Sequence, residues 1–317
     1  MLGSAIVPSP FFPRRAATVF SLVAASSVLM SVAACSMNDD AESGPPEPLE
    51  GTWTIDGSVD PALAAAIDDI AERFDGEAAI ALAVPGATSG KGPVTAGELS
   101  DVSAWSMSKV PVAIAAHREN PWVEDLIPAM ISESDNDAAE TLWVSLGDAS
   151  TAAEAVNDVL ADGGDVRTEF EAWTAPGDVQ WELADQAAFA ANLRCIEGAE
   201  PVLDAMGDIV DYQSYGLGTI EGARFKGGWG PDEEGEYLSR QLGIFPADGG
   251  VVGVAIAARP GDATDDTARD MLDEIAGAIA EHSPRGAMCE GHPVSTGKRD
   301  KATSPEDATG ESTTAGK

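Results

Sequence analysis

The order of segments predicts an α+β fold, an antiparallel sheet flanked by terminal helices with a helical lobe inserted between its strands. Two observations carry this. A helix and a strand open the globular part, and a long helical middle then gives way to consecutive strands and a last helix. The apolar spacing also switches from a helical period to short uninterrupted runs at the same places.

Taken in order, Leu63, Ile67, Ile70 and Phe74 recur at helical spacing, so 61–74 reads as an amphipathic helix. The run 78–84 (AAIALAV) is continuously apolar and stops at Pro85-Gly86, which suits a strand covered on both faces. A second helix spans 106–117. The middle is helical over 138–146, where Ala138, Ala139, Leu142, Trp143 and Leu146 share a face, and again over 152–160 and 183–193. Gly147 and the pair Gly163-Gly164 act as stops. After Gly216 the segments 223–226, 236–245 and 251–258 are strand-like, separated by Gly, Pro and Asp. Met271, Ile275 and Ile279 place a closing helix over 270–279.

The two ends differ from this body. Arg14 and Arg15 precede an uncharged, mostly apolar run over 16–34 that stops at Cys35. Its 19 residues nearly suffice to span a bilayer, but the small residues before Cys35 and the polar run after it favour a cleaved signal. Val32-Ala33-Ala34-Cys35 resembles a bacterial lipobox, which implies cleavage before Cys35 and lipidation of that residue. The expected division is a signal peptide over 1–34, an acidic Pro-rich tether over 35–52, a globular domain over 53–293 and a polar tail over 294–317.

The formal net charge of −36 argues against a nucleic-acid partner and against anionic lipid headgroups, leaving membrane contact to the lipid anchor. Solubility is the plainer cause of so acidic a composition. His117, His282 and His292 are scattered and no H-E-x-x-H run occurs, so neither a metal nor another cofactor is expected. Cys195 and Cys289 remain once Cys35 is assigned; in an exported protein they allow a disulfide, which spacing alone leaves open.

Three short motifs bear on chemistry. Ser106 and Lys109 stand three apart, so on a helix they share a face, and a hydroxyl nucleophile needs such a base beside it. Trp105 before them and Val110, Pro111 and Val112 after them make this an apolar helix start, where a lysine wants a reason. Ser134-Asp135-Asn136 heads the helix over 138–146, a place where all three residue types also serve as caps. Lys226-Gly227-Gly228 lies on a strand, where the lysine alone would pass for a solvated hairpin residue and Gly228 admits a close backbone approach.

Together, and in this order, the three fit S-x-x-K, S-D-N and K-[TSG]-G, and the chain resembles the serine β-lactamases and penicillin-binding proteins, the class A β-lactamases most closely. The stretch 130–146 (MISESDNDAAETLWVSL) is similar to the class A M-x-x-x-S-D-N-x-A-A-x-x-L segment. The resemblance covers about 61–277 and implies a β-lactamase/transpeptidase-like fold. It implies Ser106 as nucleophile, Lys109 as its base and Ser134 as the proton relay to the leaving nitrogen. It implies that Asn136 binds the substrate amide, that Lys226 supplies charge to a substrate carboxylate, and that the main-chain N–H groups of Ser106 and Trp229 form an oxyanion hole beside Gly228.

Three departures stand out. Gly227 replaces the hydroxyl residue that the family often uses on the substrate carboxylate. Ser106 and Ser134 lie only 28 positions apart, where class A enzymes insert a much longer segment over the cleft. The loop before Ala175-Pro176-Gly177-Asp178 lacks E-x-x-L-N, and Glu169 and Glu171 stand out of register, with Glu171 the candidate deacylation base. The expected function is a lipid-anchored serine hydrolase on the extracytoplasmic face of the membrane, acylated by β-lactams or peptidoglycan peptides and slow to deacylate. The alternative is a non-catalytic envelope lipoprotein that uses the same fold for binding or scaffolding.

Overall fold

A computed structural model describes residues 46–86, 92–99, 103–231 and 235–289. The expected signal peptide, Cys35, most of the tether and the tail lie outside the described residues.

Five strands form one antiparallel sheet in the order β2-β1-β5-β4-β3: β1 (Glu77–Ala83), β2 (Val94–Gly97), β3 (Arg224–Pro231), β4 (Tyr237–Ala247) and β5 (Gly250–Arg259). The two apolar runs pair with each other at the centre, Ile80 opposite Ile256 and Leu82 opposite Val254. Helices cover both faces there, which is why neither run alternates.

On one face lie the terminal helices α1 (Pro61–Arg73) and α8 (Asp265–Glu281). Asp60 caps α1 by accepting from the main-chain N–H groups of Ala62 and Leu63, and Pro61 occupies the first position. Thr264 caps α8, with Asp265 and Asp266 in the first turn favoured by the helix dipole. Leu63, Ile67 and Ile70 of α1 join Met271, Leu272 and Ile275 of α8 and Ile80, Leu82, Val254 and Ile256 of the sheet in one aliphatic core. The other face is a layer of alanines, Ala79, Ala81, Ala83, Ala255 and Ala257, against Leu183, Ala187 and Ala191 of α6 (Leu183–Asn192). Small residues let that helix approach closely: a Cβ on Gly253 would sit 2.2 Å from the main-chain nitrogen of Ala191.

The inserted lobe consists of α2 (Lys109–Glu119), α3 (Ile127–Ser132), α4 (Asn136–Ser145), α5 (Ala149–Asp162) and α7 (Glu200–Met206) around a separate apolar core. The link between α2 and α3 is one 3-10 turn over Pro121–Leu126, in keeping with the short interval between the first two motifs. Three details differ from the periodicity. β2, α3 and α7 are too short, at 4, 6 and 7 residues, to show a period. The helix expected over 106–117 divides into a 3-10 turn (Trp105–Ser108) and α2. β3 continues past Lys226 to Pro231, through three glycines that propensity reads as a break.

Both ends of the described chain are clipped to the body. Leu49 and Trp53 bridge to Ala247 and Pro284, so the last residues of the expected tether lie against the sheet. Val251 and Ala287 exchange main-chain hydrogen bonds of 2.9 and 3.1 Å. Cys195 and Cys289 form the disulfide that the spacing left open, fastening the C-terminal segment to the end of α6.

Candidate active site

Ser106 sits in the 3-10 turn at the head of α2, where the turn meets β3. Trp105 immediately before it has φ +47°, a left-handed conformation that a bulky residue adopts only under constraint. The strand supplies that constraint by lacking side chains. A Cβ on Gly228 would stand 2.9 Å from the Ser106 nitrogen, and one on Gly230 would stand 2.3 Å from the Trp105 indole. The glycines that interrupt the strand pattern are what let β3 press against the turn.

Lys109 opens α2 and is fully buried. Its Nζ donates to the Ser134 carbonyl at 2.6 Å, to Asn136 Oδ1 at 2.7 Å and to Ser134 Oγ at 3.2 Å. Burial pulls its pKa from the ordinary lysine value down to about 7, with Asp135 pulling weakly the other way. Lys226, equally buried on β3, donates to Ser134 Oγ and to the Gly227 carbonyl, each at 2.9 Å. Burial, and then the proximity of Lys109, hold its pKa well below the ordinary value.

Ser134 therefore joins the three motifs. Its hydroxyl accepts from both lysines, and its own proton is left to point elsewhere. Its φ of +62° places that hydroxyl between them, while Asp135 beside it caps α4 by accepting from Ala138 N at 2.6 Å. Asn136 accepts from Lys109 Nζ through Oδ1, which leaves both hydrogens of its amide nitrogen outside that contact. Ser106 Oγ is not among the acceptors of Lys109 Nζ.

Glu171 lies on the loop that leads to the 3-10 turn Pro176–Asp178, which packs against the turn of Ser106. Its carboxylate accepts from Thr174 Oγ1 at 3.4 Å and makes no hydrogen bond to Ser106, Lys109 or Ser134. The structure thus gathers Ser106, Lys109, Ser134, Asn136, Lys226 and Gly228, with Trp229 next on the strand, and leaves Glu171 tied to its own loop.

Three supporting residues escaped sequence reasoning. Arg240, fully buried on β4, donates to the carbonyls of Ser103 at 2.7 Å and Trp181 at 2.9 Å, pinning the segment that enters the Ser106 turn together with the segment that bridges to it at Gln180. Asp165 accepts from the main-chain nitrogens of Arg167 and Thr168 at 3.0 Å each, and from Trp181 Nε1 at 2.8 Å, closing the Glu171 loop on itself. A charged residue within a strand-like stretch was the available signal for Arg240; nothing in the sequence marked Asp165 or Trp181.

No protein-family model matches the chain, and no curated protein matches it in sequence. Solved structures do match. A β-lactamase from Xanthomonas campestris aligns with 73% of this chain and 99% of its own, at 16% identity and a TM-score of 0.55. One from Sphaerobacter thermophilus aligns with 69% of this chain and 96% of its own, at 18% identity and a TM-score of 0.51. An ancestral class A β-lactamase gives 16% identity and a TM-score of 0.52 over 69% of this chain and 99% of its own. The fold is that of the class A β-lactamases. At these identities the likeness speaks for the β-lactamase-like architecture, and the chemistry has to be argued from the side chains.

Proposed function

We propose that the protein is a serine acyl enzyme of the β-lactamase and DD-peptidase type. The observation that carries this is the Ser134 hydroxyl held between two buried lysines, beneath a turn that presents Ser106 against Gly228 of β3. Structural cores rarely bury two amines around one hydroxyl, because each loses its hydration. With a pKa near 7, Lys109 is neutral in a large fraction of molecules at neutral pH and can then take the Ser106 proton. Ser106 Oγ forms the bond to the carbonyl carbon of an amide or lactam. The oxyanion lies toward the N–H groups of Ser106 and Trp229, and Ser134 passes its proton to the departing nitrogen as the C–N bond breaks. Lys109 then returns a proton to Ser134 through their contact. Deacylation needs a water held by a base beside the ester, and Glu171 makes no hydrogen bond to Ser106, Lys109 or Ser134, so the acyl-enzyme persists.

The same reading places the protein outside the cytoplasm, anchored through lipid on Cys35; the Cys195–Cys289 disulfide supports an oxidising compartment. Among the described residues no helix is long and apolar enough to cross a membrane. Metabolic labelling with a fatty-acid analogue tests the anchor: Cys35→Ala is expected to lose the label, and a label that stays places the lipid elsewhere.

One observation favours the alternative, a non-catalytic binding protein. The three contacts of Lys109 Nζ go to Ser134 and Asn136, so in this arrangement the amine is engaged away from Ser106. Intact-mass spectrometry after incubation with β-lactams, charged and uncharged, separates the two. A stoichiometric adduct that disappears in Ser106→Ala supports the acyl enzyme; no adduct with any of them supports the binding protein.

A further inference from the structure

The side chain of Trp229 has a part of its own. Residues 226 and 229 start from opposite faces of β3, yet the indole centroid lies 5.9 Å from Lys226 Nζ. β3 is the last strand of the sheet, with β4 on its inner side and the Ser106 turn against Gly228. A ring that reaches Lys226 from the far face therefore runs along the free edge of the strand. Its Cζ3 is 3.6 Å from where a Cβ on Gly227 would stand, and Gly227 is buried although it belongs to an edge strand. Gly227 is also the position without the hydroxyl that would meet a substrate carboxylate. Lys226 is fully buried behind it, with Nζ committed to Ser134 Oγ and the Gly227 carbonyl.

Resting on the acyl-enzyme reading above, we propose that the Trp229 indole closes the carboxylate subsite along the edge of β3, so that Ser106 takes acyl donors uncharged beside the scissile bond in preference to those bearing a carboxylate there. Three physical terms point the same way. A carboxylate at this edge would lose water against an indole face, whose quadrupole repels anions. Lys226 already donates through Nζ to Ser134 Oγ and the Gly227 carbonyl, so two of its three N–H donors are spent and it has little left for a carboxylate. The net charge of −36 disfavours the approach of any anion. An uncharged ester or amide group escapes all three and can lie flat on the ring.

The matched probes are benzylpenicillin and its methyl ester, which present the same lactam carbonyl to Ser106 and differ only in the carboxylate. The measurement is the acylation rate constant of the purified full chain with each. The ester is expected to react about tenfold faster or more, as befits one unfavourable pocket contact. Trp229→Ala keeps the main-chain N–H and is expected to erase most of that preference by speeding up the free acid; Trp229→Phe keeps a ring and keeps the preference. Gly227→Ser, whose Cβ meets the indole at an ordinary contact distance, is expected to leave the ratio unchanged while the indole stays. A wild-type protein that prefers the free acid overturns the proposal, as does an unchanged ratio in Trp229→Ala. If Gly227→Ser alone erases the preference, the missing hydroxyl rather than the indole is the determinant, and the proposal is equally overturned. If neither probe acylates any of these proteins, the acyl-enzyme reading itself falls and takes this inference with it.

Discussion

The half of the sheet that carries α1 and α8 and the seam where β3 meets the helical lobe are built on opposite terms. In the first, Leu63, Ile67, Ile80, Leu82, Ile256 and Ile275 fill a core of aliphatic side chains, and charge stays at the surface, as in the Arg73–Glu274 pair. In the second, Lys109, Lys226 and Arg240 are fully buried, and Trp105 and Ser134 hold positive φ. Each of these features costs free energy where it stands. Stability comes from one region and is given up in the other, the pattern expected of a preorganised site on a stable scaffold.

The sharpest test of this contrast is Lys109→Met. Acylation of Ser106 is expected to slow by about 10²–10⁴-fold, the usual worth of a positioned base. Thermal stability is expected to hold or rise, because an apolar side chain of similar length needs no hydration. A Lys109→Met protein that loses stability and keeps its acylation rate would reverse the roles of the two regions. The counterpart is Ile67→Ala in the aliphatic core, expected to cost about 2–5 kcal/mol in denaturant unfolding while the folded fraction acylates at the wild-type rate. Next in size is the disulfide. Its partners are 94 residues apart in sequence, so replacing both cysteines by serine is expected to lower stability by about 2–4 kcal/mol with acylation unchanged.

A smaller effect is expected from pH. With the pKa of Lys109 at about 7, acylation should fall about tenfold per pH unit well below that value and level off above it. A flat profile between about pH 5.5 and 8.5 would remove Lys109 as the base. The sign for stability follows from the same shift. A lysine whose folded pKa is lowered from the ordinary value of about 10.4 binds fewer protons folded than unfolded between about 7 and 10. This group's contribution therefore becomes more favourable as pH rises through that window. The stability advantage of Lys109→Met over wild type should shrink accordingly. The smallest expected effect is that of Glu171→Gln, which should leave the rate of acyl-enzyme loss unaltered; a clear slowing would give Glu171 a catalytic part.

The legibility of the sequence divides along the same line. The central strands and both terminal helices were readable because burial of one stripe or two faces imposes a period or an unbroken run. The seam was harder. The turn of Ser106 read as plain helix, since the positive φ of Trp105 is imposed by β3 from across the fold. Strand propensity ends β3 at Lys226, because the glycines at 227, 228 and 230 lower it; close approach of the Ser106 turn is what requires Gly228 and Gly230. That Ser134 would join both lysines was legible only through resemblance, since the three motifs are local strings whose convergence is a property of the fold. Arg240 and Asp165 act on main-chain atoms distant in sequence, or on a loop that follows no regular pattern, and the indole of Trp229 bends around a strand edge. None of these contacts leaves a periodic trace.

The central claim is that Ser106 is a nucleophile served by buried lysines, and intact-mass spectrometry of the full chain with benzylpenicillin methyl ester tests it most directly. The account predicts one acyl adduct per molecule, mapped to Ser106, persistent over the incubation and lost in Ser106→Ala. An adduct of the same size that survives in Ser106→Ala, or no adduct in a folded wild-type protein, would contradict it.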